Sequence, residues 1–463
     1  MSDFFDIAII GGGYTGAVLA LHLVRNAPPG TQIAIVEPRA ELGSGLAYDT
    51  LADEHHINVP AERMGVGVEA PDRFDVWLKK HHPELIGDGD PEHTYVSRRW
   101  FGVFVRDRLA EALRNSHVGL RHIEARAVSA RAIAGGTEIQ LSGGETPLRA
   151  RHVVIAVSHG LPALPHSIPP TLAGKRGLLE NPWNIDRLAE IPSEGTVLII
   201  GTGLTMADII ASLVARGHRG RILAFSRHGL QARKAGPGNV PPGLDLAAWP
   251  AASLARYVKL IRAEIAQAEA QGLPWRGVFT ALRVQSEHLW SRLTPADQRR
   301  FLRHLKAFYD VHRYRMPPET YELIEAAEAR GQVEIFAAHL VRAEATATGF
   351  EAIIRRRGAP VDEQLKVEAI VNCTGPKQRL GADPATFLGA LIAAGVVQVD
   401  PFGLGLAVDR NFRAIGGAPD VYAIGPLTRE RFGDTYGAPE IQLHAERLAG
   451  QLASALTEEK AAV

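Results

Sequence analysis

The chain has 463 residues, 51 Lys+Arg against 51 Asp+Glu, 46% hydrophobic residues and a single cysteine. That length suits two or three domains with full apolar cores, and a formal net charge of zero offers no electrostatic footprint for nucleic acid or an anionic membrane. Lone Cys373 excludes, within one chain, a disulfide scaffold, a four-cysteine zinc site and a dithiol redox pair, and with them a thiol-disulfide reductase.

After Met1-Ser2-Asp3 the sequence enters an apolar run, Phe4–Ile10, with no basic segment and no cleavage-site pattern, so no Sec-type export is expected. Its longest apolar stretches, such as residues 387–397, are broken by glycine and fall short of the roughly 20 residues that cross a bilayer. The expectation is a cytoplasmic protein with no membrane partner.

Asp6-Ile7-Ala8-Ile9-Ile10 leads into GGGYTG (Gly11 to Gly16) and a helix-like run at 17–25, then a second strand-like run at 32–36 ending at Glu37. A strand ending in glycines that open a helix is the start of a parallel βαβ unit. In a dinucleotide site Gly11 permits the tight turn, Gly13 lets the backbone approach a pyrophosphate, and Gly16 lets helix and strand pack closely. The phosphates then meet the helix N-terminus, and Glu37 stands where a carboxylate accepts hydrogen bonds from ribose hydroxyls.

The pattern returns about 190 residues later. Thr196-Val197-Leu198-Ile199-Ile200 leads into GTGLTMAD (Gly201 to Asp208) and a helix-like run at 209–216. Gly201 and Gly203 hold the first two glycine positions, while Met206 occupies the third and should push the helix slightly off the strand. The strand at 221–226 ends in Ser226-Arg227-His228 with no acid; Arg227 there suits a 2′-phosphate, hence NADPH over NADH, although NADH remains open. Each copy later shows an alternating, meander-like stretch (126–141 and 339–357) and a closing apolar run, 153–160 and 369–376.

The Pro/Gly-rich stretch 160–192 reads as a crossover. Three helical stretches follow a loop at 235–242: residues 253–272, 275–293 and 294–314, the last with Thr294 as N-cap and Pro295 at the first helical position. Strand-turn-helix texture resumes at 421–425 and 439–456. The expected fold is α/β, two Rossmann-like dinucleotide-binding domains of the glutathione-reductase kind. Residues 1–165 and 365–463 make a discontinuous first dinucleotide-binding domain, which the resemblance given below implies is the FAD-binding one, and 190–364 a second, by the same resemblance NAD(P)H-binding, with a helical insertion at about 245–330.

Several residues carry two readings. Arg98 and Arg99 suit an anion or an exposed helix start; Arg313 and Arg315 suit a cofactor cleft or a helix C-terminus; His159 suits a general base or a hinge. Trp249, Trp275 and Trp290 suit an apolar pocket or core, and Cys373 a small core hydrophobe. His55-His56 lacks a third ligand, so no metal is expected.

Taken together, GGGYTG, HHINVPAERM (His55 to Met64), SRRWFG, NPW, GTGLTMAD, RFLRHLKAFYDVHRYRMPP (Arg300 to Pro318), IGPLTR and GAPEI resemble the bacterial FAD/NAD(P)-binding flavoproteins with two dinucleotide-binding domains, a group that includes a FAD-dependent urate hydroxylase. The resemblance spans nearly the whole chain. It implies FAD in the first domain and NADPH, or NADH, in the second. Asn58 and Met64 would lie near the flavin ring, and Gly425 would close the flavin site. The helix beginning near Pro439 would aim its N-terminus at the flavin's pyrimidine edge. Wider flavoproteins carry Gly-Asp where this chain has Gly425-Pro426; the narrower group also has Gly-Pro. The implied activity is an NAD(P)H-using monooxygenase acting with O2 on a small polar molecule, a urate-like purine or an amine. Two alternatives stay open: an NAD(P)H oxidoreductase that inserts no oxygen, and a flavin-binding redox sensor or partner-binding protein. No catalytic residue is named by the sequence, and the oligomeric state is left open.

Overall fold

The computed structural model describes residues 4–86, 93–158, 160, 162–241, 243–376, 380, 381, 383, 385–433 and 437–461. His159 lies outside the described residues.

Two seven-stranded sheets organise the chain. In the first, β1 (Phe4–Ile10) runs parallel to β2 (Gln32–Val36), and β2 to β3 (Gly119–Ile123). On the other side β1 pairs parallel with β6 (Leu148–Ile155), whose two halves take different partners on their far edge. The N-terminal half pairs antiparallel with the meander strand β5 (Gly136–Leu141), next to β4 (Ala127–Ile133); the C-terminal half pairs parallel with β14 (Val421–Ala423). The second sheet has a parallel core of β7 (Leu178–Leu179), β13 (Ala369–Asn372), β8 (Val197–Ile200), β9 (Ile222–Ser226) and β10 (Val333–Ala345). The antiparallel strands β11 (Phe350–Arg356) and β12 (Glu363–Val367) complete it.

Continuous apolar runs make the central strands, because each is covered on both faces. All four residues of β8 and of β13 are buried, as are the last four of β1. The Tyr14–Asn26 helix and the long Ala438–Ala461 helix pack together over the first sheet, joining residues from both ends of the chain in one core. Separate apolar clusters cover the two faces of the second sheet, as a doubly wound layer requires. Among the described residues no helix is long and apolar enough to cross a membrane.

The insertion differs from the sequence expectation in two respects. The stretch 275–293 is two helices, Arg276–Val284 and Ser286–Arg292, because Gln285 between them leaves helical geometry at φ −106°, ψ 19°. The third stretch starts as expected, with the Thr294 hydroxyl accepting the Asp297 N–H at 3.2 Å. It then passes through one π-helical turn, Phe301–Leu305, before Lys306–Arg313. That turn resets the angular phase of the last helix, whose residues reach the site below. Trp249 stacks on Tyr257, Trp275 lines a groove of the insertion, and Trp290 lines an apolar cavity of about 170 Å³ with its indole N–H on Glu430 O at 2.6 Å. Cys373 is buried in the core of the second sheet, where burial raises its thiol pKa.

Candidate functional site: a cleft between two glycine loops

The first loop leaves β1 with Gly11 at φ +105°, a conformation side chains rarely adopt. A Cβ on Gly16 would stand 1.9 Å from the Gly11 carbonyl, so only glycine lets this helix sit on its strand. Gly13 caps the Tyr14–Asn26 helix with no side-chain hydrogen bond, leaving the first-turn N–H groups without a side-chain cap. Glu37 is buried at the end of β2, one oxygen accepting the Gly12 N–H at 2.9 Å and the other facing Arg39 at 3.0 Å. An ionised carboxylate has about four lone-pair sites, so ribose hydroxyls can still donate to it. The sequence reading missed a second glycine pair here. A Cβ on Gly45 would lie 2.9 Å from the Gly13 Cα, so Gly43-Ser44-Gly45 abuts the first loop backbone to backbone.

The second loop repeats this construction. Gly201 has φ +111°, and a Cβ there would lie 2.2 Å from the Cys373 carbonyl oxygen. Gly203 caps the Leu204–Ala215 helix without a side-chain bond, and a Cβ at that position would meet nothing within 4 Å. Met206, at the third glycine position, is fully buried in the apolar cluster beneath the helix, together with Val197 and Ile199 of the strand. Exposed Arg227 follows β9 and lines a basic cleft of about 430 Å³ with His228, His339, Arg355, Arg356 and Arg357. Arg355 pairs with Asp362 and Arg356 with Glu334 and Glu363, whereas neither Arg227 nor Arg357 has a carboxylate partner among the described residues. Those two guanidiniums are left for an anion, and Arg357 was not foreseen.

At the second loop opens a cleft of about 480 Å³. Tyr48, Asn58 and Met64 line it from the first unit; Gly203, Thr205 and Asp208 line it from the second. Lys306, Asp310, Arg313 and Tyr314 enter from the insertion, and Gly437 and Ala438 from the start of the long C-terminal helix. The Tyr14 hydroxyl is shared between the carbonyls of Gly65 (2.8 Å) and Ala438 (3.0 Å), tying the first glycine loop to that helix start. Asn58, Met64 and Gly203 are the sequence-proposed cofactor residues that line this cleft; the others, Pro439 and Gly425 among them, stand off it. Pro439 lines a smaller neighbouring pocket, and Gly425 (φ +79°) packs on Thr15, a Cβ there reaching the threonine side chain at 3.0 Å.

Two contacts clamp the units across the cleft. Arg98 donates to both oxygens of Asp208, at 2.8 and 2.6 Å, while Arg99 pairs near the surface with Asp53. The Ser212 hydroxyl, fully buried on the Leu204–Ala215 helix, donates to Glu54 at 2.6 Å and faces His55 Nε2 at 2.9 Å. With that proton committed to Glu54, His55 Nε2 is the donor and its Nδ1 accepts from Thr50 at 3.2 Å. Burial holds the imidazole below its ordinary pKa, so it is the neutral form that is held. This is an inter-unit latch and not a nucleophilic triad, because the serine proton points at the carboxylate.

Residues 8–160 match a protein-family profile described as FAD-NAD(P)-binding. No curated protein matches at the sequence level. Among solved structures, the ornithine N-hydroxylase of Kutzneria sp. 744, with reduced FAD, NADP+ and L-ornithine, is similar at TM-score 0.65 and 17% identity over 99% of this chain and 100% of that one. The FAD-bound cadaverine monooxygenase of Erwinia amylovora gives 0.67 at 13% identity, covering 97% and 94%. Thioredoxin reductase of T. acidophilum gives 0.54 at 12%, covering 98% and 99%. At these identities the likeness carries the fold. The profile match covers residues 8–160, and the whole chain has the fold of the two-dinucleotide-binding-domain flavoproteins.

Proposed function

We propose that the protein is an FAD-dependent, NADPH-using monooxygenase that hydroxylates a small polar substrate. The observation that carries this reading is the cleft itself, onto which open one glycine-capped helix N-terminus and the start of the C-terminal helix, with the other glycine loop joined to it through Tyr14. Residues 1–165 and 365–463 would hold FAD, and 190–364, with the insertion at about 245–330, would hold NADPH. Gly11, Gly13 and Glu37 fit the adenosine and pyrophosphate of FAD; Gly203, with open space where a side chain would project, fits the pyrophosphate of NADPH. Bound FAD would supply the redox chemistry, taking a hydride from NADPH and passing the electrons to O2.

The chain's own residues position and enclose. Asn58 and Met64 would bound the flavin side of the cleft, and Arg227 with Arg357 would hold the 2′-phosphate. The Arg98–Asp208 pair and the His55–Ser212–Glu54 latch would keep the two cofactor sites facing one another, and the insertion would limit water access. Disulfide reduction is disfavoured because the lone thiol is buried and its pKa is raised. A vestigial nicotinamide site, as a redox sensor would carry, is disfavoured because the Gly203 loop is open where a side chain would project. The test is turnover of the FAD-loaded protein with NADPH and heavy-oxygen-labelled O2 over a panel including urate, L-ornithine and cadaverine, read by mass spectrometry. One labelled oxygen in a product supports the reading; hydrogen peroxide equal to NADPH consumed with every substrate counts against it.

A further inference from the structure

Beside the cleft lies a second, smaller pocket of about 50 Å³ that shares Asn58, Val59, Arg313 and Gly437 with it. Four arginines line this pocket, Arg63, Arg283, Arg313 and Arg315, against one carboxylate, Glu440. Glu440 is shared between Arg283 and Arg313. Arg315 spends its donors on the main-chain carbonyls of His312 and Arg276, both at 3.2 Å, and lies over the Trp275 ring, 5.6 Å from its centre. Arg63 has no carboxylate partner among the described residues. Among the described residues the lining thus counts four guanidiniums to one carboxylate.

The contacts of Arg283, Arg313 and Arg315 bring only one carboxylate into the described lining. Partly buried like charges repel one another and lose hydration, and both terms oppose folding. The strain registers on the residues themselves: burial first, then the neighbouring arginines, pull Arg63 and Arg315 down to about 10. Uncompensated charge of this kind collects where a ligand of opposite sign completes the site. Tyr95 adds a hydroxyl, and Pro439 belongs to the first turn of a 24-residue helix, whose N-terminus contributes a partial positive charge.

We infer that this pocket is the anion subsite of the substrate, seating one carboxylate or comparable oxyanion group while the rest of the molecule extends past Asn58 into the cleft. It rests on the monooxygenase reading for the word substrate, and it narrows that reading to small organic anions. A diamine such as cadaverine would meet four guanidiniums and is rejected.

The test is calorimetric titration of the oxidised, FAD-loaded protein with benzoate and with benzamide, its neutral isostere, with and without saturating NADP+. Benzoate is expected to bind at least about tenfold more tightly than benzamide, with NADP+ leaving its affinity intact. Arg63→Gln and Arg315→Gln should each weaken benzoate about tenfold or more while benzamide is unaffected and the flavin-to-protein ratio is retained, and Arg63→Lys should restore most of the loss. Equal affinity for the two probes, no binding of benzoate, unchanged benzoate binding in both glutamine variants, or displacement by NADP+ would overturn the inference, the last because the pocket would then be holding the nicotinamide cofactor's phosphates. The titration uses neither turnover nor O2, so a failed hydroxylation assay leaves its result standing.

Discussion

The two glycines of the second loop should respond differently to an added side chain. At Gly201 a side chain requires φ +111° and a Cβ 2.2 Å from the Cys373 carbonyl oxygen, far inside contact distance with rigid backbone. The conformation alone costs about 1–3 kcal/mol, and the backbone shift brings the total to about 3–5 kcal/mol out of a typical 5–15. At Gly203 the backbone is ordinary (φ −88°, ψ −164°) and the added atom meets nothing within 4 Å, so Gly203→Val should change stability by about 1 kcal/mol or less. On the proposed function, that open space is where the backbone would approach the NADPH pyrophosphate. Loss of one charge-assisted hydrogen bond there, about 1.5–3 kcal/mol, raises the KM for NADPH about ten- to a hundredfold. Thermal unfolding, the flavin-to-protein ratio and NADPH-dependent flavin reduction separate the outcomes. Gly201→Ala should melt early; Gly203→Val should melt like the parent, keep its FAD and lose NADPH affinity. A Gly203→Val protein with the parent KM would refute the assignment of this loop to NADPH.

Arg227→Ala should raise the KM for NADPH about fivefold, the worth of one exposed phosphate contact near 1 kcal/mol, and leave NADH nearly unchanged; equal effects on both would mean that Arg227 does not read the 2′-phosphate. Arg98→Met strands Asp208 at the inter-unit seam and should cost about 2–4 kcal/mol, part of which Asp208→Leu restores in the double variant; strictly additive losses in urea unfolding would show that the pair does not act as a unit. His444, packed against Phe412 and Phe432, is lowered from 6.5 to about 4 by burial and by Arg447. Between those values the unfolded chain binds the extra proton, so this contribution is complete above pH 6.5 and is lost as pH falls toward 4. The loss is about 3 kcal/mol, and His444→Gln should flatten the acid limb of the stability curve; an acid limb identical to the parent's would assign the loss elsewhere.

The fold was legible because its signals are local. A buried strand, a glycine turn and a helix stand within twenty residues of one another twice over, and the Thr294 cap announces its helix by itself. The helix break at Gln285 and the π turn at Phe301–Leu305 were not legible, since Leu, Arg and His are good helix residues in any register. Parts of the site were also hidden. Gly43-Ser44-Gly45 left a signal, paired glycines shortly after the ribose acid Glu37, that could have been read. The arginine pocket left half a signal: Arg313 and Arg315 carried the cofactor cleft as one of two readings, whereas Arg63 and Arg283, from distant segments, each alone read as an ordinary surface charge or helix end. The Ser212–His55–Glu54 latch likewise exists only after the two units face each other.

The account stands or falls on whether the two glycine loops deliver electrons to one place. The measurement is anaerobic mixing of the purified FAD-loaded protein with NADPH, and separately with NADH, while the flavin's visible band is followed in time. Stoichiometric bleaching by NADPH, slower with NADH and slowed in Gly203→Val, is the predicted result; a flavin that stays oxidised with both nicotinamides would contradict it.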